Sequence, residues 1–148
     1  MADSLSYHDA IIQIRNLGVQ LAIDDFGTGF SSLSYISRFP VNWIKIDRSF
    51  IAKCAIDRAS LAVVRAIIAM AHSLNIRVIA EGVETFEQLV VVKQENADSI
   101  QGFYYGRPTA YEDLRTLVET LCARRRSGAE SVLGEGGATL VESHADGA

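Results

Sequence analysis

Val19-Gln20-Leu21-Ala22-Ile23-Asp24-Asp25-Phe26-Gly27-Thr28-Gly29 sets a pattern that recurs along the chain. A short apolar run ends in two adjacent carboxylates, and a Gly-x-Gly turn follows. Three more runs have the same character: Asn42–Asp47, Arg77–Gly82 and Asp98–Gly102. With Val19–Asp25 they make four short strands rich in Val or Ile, bounded by turn residues. Three of the four lack clean alternation, as expected of parallel strands buried on both faces.

Helical patterns lie around and between these strands. His8–Leu17 is amphipathic and Gly18 can terminate it. Ser31–Arg38 reads as a short helix stopped by Pro40, and Ser60–Leu74 as a long apolar one with Asn75 as a left-handed cap. Thr85 with Gln88, and Thr109 with Glu112, have capping-box spacing. They open helices to about Glu95 and about Arg126. Strand starts are 23, 35 and 21 residues apart, the spacing of βα repeats. A closed eight-stranded barrel takes ~250 residues. The 148 residues here therefore predict an α/β fold: a partial TIM-like (β/α) barrel of about four βα units.

Composition fits that frame and narrows the function. Residues 1–126 carry the repeats and form the predicted domain. Residues 127–148 are rich in Gly, Ala, Ser and Glu without a sustained period, which predicts a disordered C-terminal tail. A net charge of −4 argues against a nucleic-acid polymer as partner. It leaves room for a phosphorylated ligand, because bound cations can reverse local charge. Cys54 and Cys122 stand far apart without metal-ligand spacing and read as free thiols. No signal-peptide pattern opens the chain, and the longest apolar stretch, Leu61–Ala71, is too short for a membrane segment. A cytoplasmic location is the expectation.

Polar residues collect where the strands end. Asp24 and Asp25 end the first, Lys45 and Asp47 the second, Glu81 the third with Glu84 just beyond, and Gln101 the fourth. Any one of them could simply mark a buried strand emerging into water. Four strands in four is a different matter, because parallel α/β barrels carry their active sites on that rim. Adjacent carboxylates facing another carboxylate repel unless a cation sits among them. All-oxygen clusters suit Mg²⁺ or Mn²⁺. Lys45 would donate beside the ions.

The loop after the first strand could cover a ligand, form an interface, or be only a turn. His8, His72 and His144 lie off the rim and receive no catalytic role. Trp43 and Tyr35 read as core or interface residues, and Tyr104 and Tyr105 as core residues near the rim. Arg124-Arg125-Arg126 reads as a solvated helix end.

Four ordered motifs carry a family resemblance: Asp24-Asp25-Phe26-Gly27-Thr28-Gly29-Phe30-Ser31-Ser32-Leu33, Lys45-Ile46-Asp47, Ala80-Glu81-Gly82-Val83-Glu84 and Gln101-Gly102-Phe103, with Arg107-Pro108 after them. Together they resemble the C-terminal half of the EAL domain, a cyclic-di-GMP phosphodiesterase of bacterial signalling. The resemblance implies a TIM-like barrel that hydrolyses cyclic di-GMP to linear pGpG with two Mg²⁺ or Mn²⁺ ions. By that resemblance Asp24, Asp25 and Glu81 are metal ligands and Lys45 contacts the attacking water. Glu81 has a second implied role as general base. Glu84 is a supporting carboxylate, and Gln101 and Asp47 complete the catalytic group. Phe26, Gly27, Thr28, Gly29, Phe30, Ser31 and Ser32 resemble the loop through which the family's barrels dimerise, so a homodimer or a partner protein is expected. The 148 residues contain no Glu-Ala-Leu tripeptide and no match to the family's upstream Asn and Glu ligands. Weak or absent activity of the chain alone follows. The alternative is a catalytically inactive EAL-like module that binds nucleotide or protein.

Overall fold

The computed structural model describes residues 2–29, 36 and 39–126; at residues 2–8 and Arg125 only the backbone is described. The predicted tail, the predicted helix at 31–38 apart from Ile36, and Phe30, Ser31 and Ser32 of the loop lie outside the described residues.

Among the described residues nine elements follow one another: α1 (Ala2–Asn16), β1 (Ala22–Phe26), β2 (Trp43–Ile46), α2 (Arg48–Ile51), α3 (Arg58–Ser73), β3 (Arg77–Glu81), α4 (Phe86–Gln94), β4 (Ser99–Gln101) and α5 (Tyr111–Arg126). The four strands form one sheet in the order β1-β2-β3-β4, all parallel. Strand order equals sequence order, which is the signature of consecutive βα units in a barrel. Each strand lies within its predicted run, bar the last residue of β1, Phe26.

The core follows from the apolar runs. Ile44 and Ile46 on β2, Val78 and Ala80 on β3, Val64, Ile67, Ile68 and Ala71 on α3, and Leu89 and Val92 on α4 are buried together. Local signals set the helix ends. Thr85 accepts from the Gln88 N–H at 3.3 Å, while the Gln88 Oε1 accepts from the Thr85 N–H at 3.1 Å, so the expected capping box is formed. Asp57 caps α3 through the N–H groups of Ala59 and Ser60. Gly18 at φ 83° and Asn75 at φ 57° take the left-handed conformations expected after α1 and α3.

Two local features differ from expectation. The last helix begins at Tyr111, so its cap position falls on Ala110 rather than Thr109. The short α2 was not foreseen; Asp47 caps it by accepting from the Ser49 N–H at 2.9 Å. Among the described residues no helix is long and apolar enough to cross a membrane.

Candidate metal centre

The ladder between β1 and β2 is irregular at the rim. Ile23 pairs with Ile44 and Phe26 with Ile46, so Asp24 and Asp25 together stand opposite the single residue Lys45. That is a β-bulge, uncommon in a parallel pair. Asp25 sits at φ 49°, a left-handed conformation that aspartate tolerates better than most residues. Its carbonyl accepts from the Thr28 hydroxyl at 2.9 Å, which fastens the Gly27–Gly29 turn to the bulge.

Regular pleating would send two successive side chains to opposite faces. The bulge instead brings both carboxylates to one place. Ligand oxygens of Asp24, Asp25 and Glu81 all lie within 4.8 Å of one another. Lys45 lies among them, its Nζ 3.0 Å from Asp24 Oδ1 and 2.5 Å from Glu81 Oε1. Glu81 reaches the cluster from the end of β3, one strand beyond Lys45.

Burial divides the group. The Lys45 and Glu81 side chains are only 19% and 16% exposed, whereas Asp24 is 63% exposed. For Glu81, burial pushes its carboxyl above the ordinary value. Lys45 opposes that rise, while the nearby Asp24 and Asp25 charges add to it. For Lys45, burial pulls its ammonium down, but hydrogen bonds to Glu81 and Asp24 outweigh it and the net direction is upward. One ammonium therefore faces three carboxylates. The group has an excess of negative charge and suits a further hard cation held by oxygen.

The remaining sequence candidates surround this cluster. Asp47 caps α2 beside the cluster: Ser49 hydrogen bonds hold its carboxyl below the ordinary value, with smaller help from the Arg48 charge and a hydrogen bond with Asp25. Gln101 on β4 pairs in register with Glu81, and its carbonyl accepts from the Val83 N–H at 3.1 Å. Glu84 is tied through its backbone N–H to the Gln88 Oε1 at 2.7 Å, at the start of α4. Phe26 is buried in the core, while Gly27, Thr28 and Gly29 are exposed. Trp43 is half-buried at the opposite end of β2, where Arg77 stacks 3.8 Å from its ring centroid and Gln20 accepts from its Nε1 at 2.7 Å. His72 pairs with Asp98 at 2.8 Å, away from the rim. Tyr104 and Tyr105 meet each other edge-to-face and pack against the core, as expected.

Gly102 of the Gln101-Gly102-Phe103 motif has a steric reason to be glycine that the motif alone did not give. A Cβ there would stand 2.1 Å from the Val83 carbonyl oxygen and 2.4 Å from the Val83 nitrogen.

A parallel four-stranded α/β sheet with a carboxylate cluster on its C-terminal rim is the arrangement of a barrel segment whose rim could hold a cation. Comparison with known proteins gives the family. The family profile described as the EAL domain matches residues 2–108, and the chain belongs to that family. It is 44% identical over 113 residues to the cyclic di-GMP phosphodiesterase NbdA of Pseudomonas aeruginosa, covering 76% of this chain and 14% of NbdA. The structure of the MucR phosphodiesterase in complex with c-di-GMP superposes with a TM-score of 0.70 at 43% identity, over 77% of this chain and 46% of that one. MucR is likewise from Pseudomonas aeruginosa. The manganese and cyclic-di-GMP complex of Klebsiella pneumoniae BlrP1 matches with a TM-score of 0.64 at 35% identity, over 69% of this chain and 26% of BlrP1. The chain thus spans under half the length of each of these relatives.

Proposed function

We propose that this chain carries one wall of a metal-dependent cyclic-di-GMP phosphodiesterase site. The observation that carries the reading is the bulge that sets Asp24 and Asp25 against Glu81 within 4.8 Å. Repelling charges gathered by a dedicated backbone irregularity are costly without a cation. Asp24, Asp25 and Glu81 would hold Mg²⁺ or Mn²⁺. Bound there, such ions supply charge stabilisation at phosphorus and a water of lowered pKa.

The chain's own residues have separate tasks. Lys45 keeps the Glu81 carboxylate in place and presents an N–H donor toward a phosphate oxygen or the attacking water. Glu81, raised by its burial, is suited to accept a proton at its carboxylate oxygen. Gln101 and Glu84 frame the rim on the β4 side, and Asp47 anchors the start of α2 below it. The Phe26–Ser32 loop would cover the site or meet a second copy. The test is titration calorimetry of the chain with Mn²⁺ and then with cyclic di-GMP, with a parallel assay of pGpG formation. Saturable Mn²⁺ binding that Asp24→Asn and Glu81→Gln both weaken is expected. Binding of cyclic di-GMP unaffected by Mn²⁺ and by either substitution would instead favour an EAL-like module without catalysis.

A further inference from the structure

We infer that Gln88 is a positioning residue for the rim: its buried side chain fastens the segment after Glu81 to the end of α2 and so sets Glu81 against Asp24 and Asp25. The inference deepens the proposed metal site and rests on that reading.

The strand ladders leave Glu81 in need of such a tie. The β2–β3 register ends at Ile46 and Ala80, one residue short of Glu81. The backbone of Glu81 is paired only on its other side, with Gln101 of β4. Its place relative to the Asp24–Asp25 bulge therefore depends on how the segment after it is held. Val83 is fixed toward β4, donating to the Gln101 carbonyl and accepting from the Tyr104 N–H at 2.9 Å. Toward α2 there are two ties. Gly82, at φ 71°, lies so close that an added Cβ would stand 2.5 Å from the Arg48 Cβ. Gln88 supplies the other.

Gln88 does more than cap α4. A capping box asks one bond of this side chain, to the N-cap N–H, here that of Thr85. Gln88 Oε1 also accepts from the Glu84 N–H, and that bond is the shorter, 2.7 Å against 3.1 Å. Its Nε2 donates to the Ala52 carbonyl at 3.3 Å, across 36 residues of chain. Ala52 is the C-cap of α2, where carbonyls lack partners within the helix. The neighbours fix the orientation of the amide, since two N–H donors face one end and a carbonyl faces the other. The side chain is 8% exposed, so losing any of these bonds strands a polar group away from water.

α2 is a footing shared with the other side of the site. A Cβ on Gly27 would stand 2.7 Å from the Phe50 ring, and Asp47, the cap of α2, hydrogen-bonds Asp25. One short helix thus bears on the bulge at one end of the cluster and on the Glu81 segment at the other. Gln88 is the polar link in the second contact.

The test compares Gln88→Glu, Gln88→Met and Val92→Ala in the full 148-residue chain. Glutamate keeps the acceptors that cap α4 but cannot donate to Ala52. Methionine loses both functions. Val92 is buried on the same helix, and its truncation lowers stability without touching these bonds. Mn²⁺ titration followed by electron paramagnetic resonance, urea denaturation and amide exchange are the readouts. Gln88→Met should weaken Mn²⁺ binding roughly 10-fold, the lower end for partners that hold ligands from outside, and lose protection at Glu84 and Thr85. Gln88→Glu should keep that protection and still weaken Mn²⁺ several-fold, although an added negative charge alone would strengthen cation binding. Val92→Ala should be less stable and bind Mn²⁺ as the parent does. Affinity that tracks stability across all three variants, or that neither Gln88 variant changes, would overturn the inference. If Gln88→Met does not fold, Gln88→Glu decides by the same criteria. A parent chain that binds no Mn²⁺ counts against the metal-site reading. The positioning role is then decided without metal by the amide NMR shifts of Asp24 and Asp25, which Gln88→Glu should move and Val92→Ala should not; unmoved shifts in Gln88→Glu would overturn it.

Discussion

Asp24 and Asp25 face one residue, Lys45, across the β1–β2 ladder, and their carboxylates converge because Asp25 alone leaves the extended conformation, at φ 49°. The fold thus spends a backbone irregularity on gathering charge. Asp25 should tolerate loss of its charge better than loss of its shape. Asparagine enters the left-handed region readily; a β-branched residue does not. Asp25→Asn should change stability by less than about 0.5 kcal/mol while weakening Mn²⁺ binding. Asp25→Val should cost about 1–2 kcal/mol of stability as well. Urea denaturation with Mn²⁺ titration separates the two effects. Equal stability of both variants would show that the bulge carries no strain.

Lys45 is the counter-charge that makes this cluster tolerable in the absence of a metal ion. Lys45→Met would leave the Glu81 carboxylate largely buried without its partner, a loss of about 1–3 kcal/mol at neutral pH. The pH dependence has a definite sign. A carboxyl raised above its unfolded value, as Glu81 is, contributes stability that is complete below about pH 4.5 and lost as pH rises through the folded value. Removing Lys45 raises Glu81 further and widens that window of loss. The deficit of Lys45→Met against the parent should therefore shrink on acidification toward about pH 4, where Glu81 becomes protonated in both. A deficit that is constant or grows in acid would remove Glu81 as its source.

The same cluster shows how far the sequence could be read. The apolar runs ending in Asp24, Lys45, Glu81 and Gln101 announced four parallel strands and their rim, because burial on both faces and emergence into water leave a direct mark on composition. Thr85 and Gln88 announced a helix start for an equally local reason. The bulge left no such mark. Adjacent aspartates read as a strand end, and only the pairing of Phe26 with Ile46 shows that the strand continues past them. Register is a property of two segments at once. The capping role of Asp47 escaped notice for the same reason, since α2 is a four-residue helix without a period of its own. Gly102 was legible only as part of the Gln101-Gly102-Phe103 motif; its approach to the Val83 backbone joins two segments far apart in the chain, which no local pattern reports.

Gly102 yields a sharper stability test. The Val83 backbone occupies the space a Cβ would need, and backbone cannot swing aside as a flexible side chain can. Gly102→Ala should therefore destabilise the chain by about 3 kcal/mol, at the upper end of overpacking costs. The movement would also displace Gln101, whose carbonyl accepts from the Val83 N–H. Gly29→Ala is the control, because among the described residues nothing lies within 4 Å of its added methyl. Chemical denaturation of both variants checks this. Similar midpoints for the two would mean that the Val83 contact yields easily.

The last prediction concerns turnover by the chain alone. Mg²⁺ demands near-octahedral oxygen coordination, and every ligand position the protein does not fill is left to water. In these 148 residues Asp24, Asp25 and Glu81 stand on one side of the site, and Asp24 is open to solvent. An open site weakens each electrostatic contact that remains, because effective interaction falls as the local dielectric rises. The contributions lost are those that matter most in such a reaction: fixed charge at the developing transition state and an activated water. The isolated chain with Mn²⁺ should form pGpG from cyclic di-GMP at a rate about 100-fold or more below that of a complete EAL domain. Chromatographic assay of pGpG formed by the chain and by a complete EAL domain decides the matter. Turnover by the chain alone near that of a complete domain, abolished by Asp24→Ala, would show that one wall of carboxylates suffices.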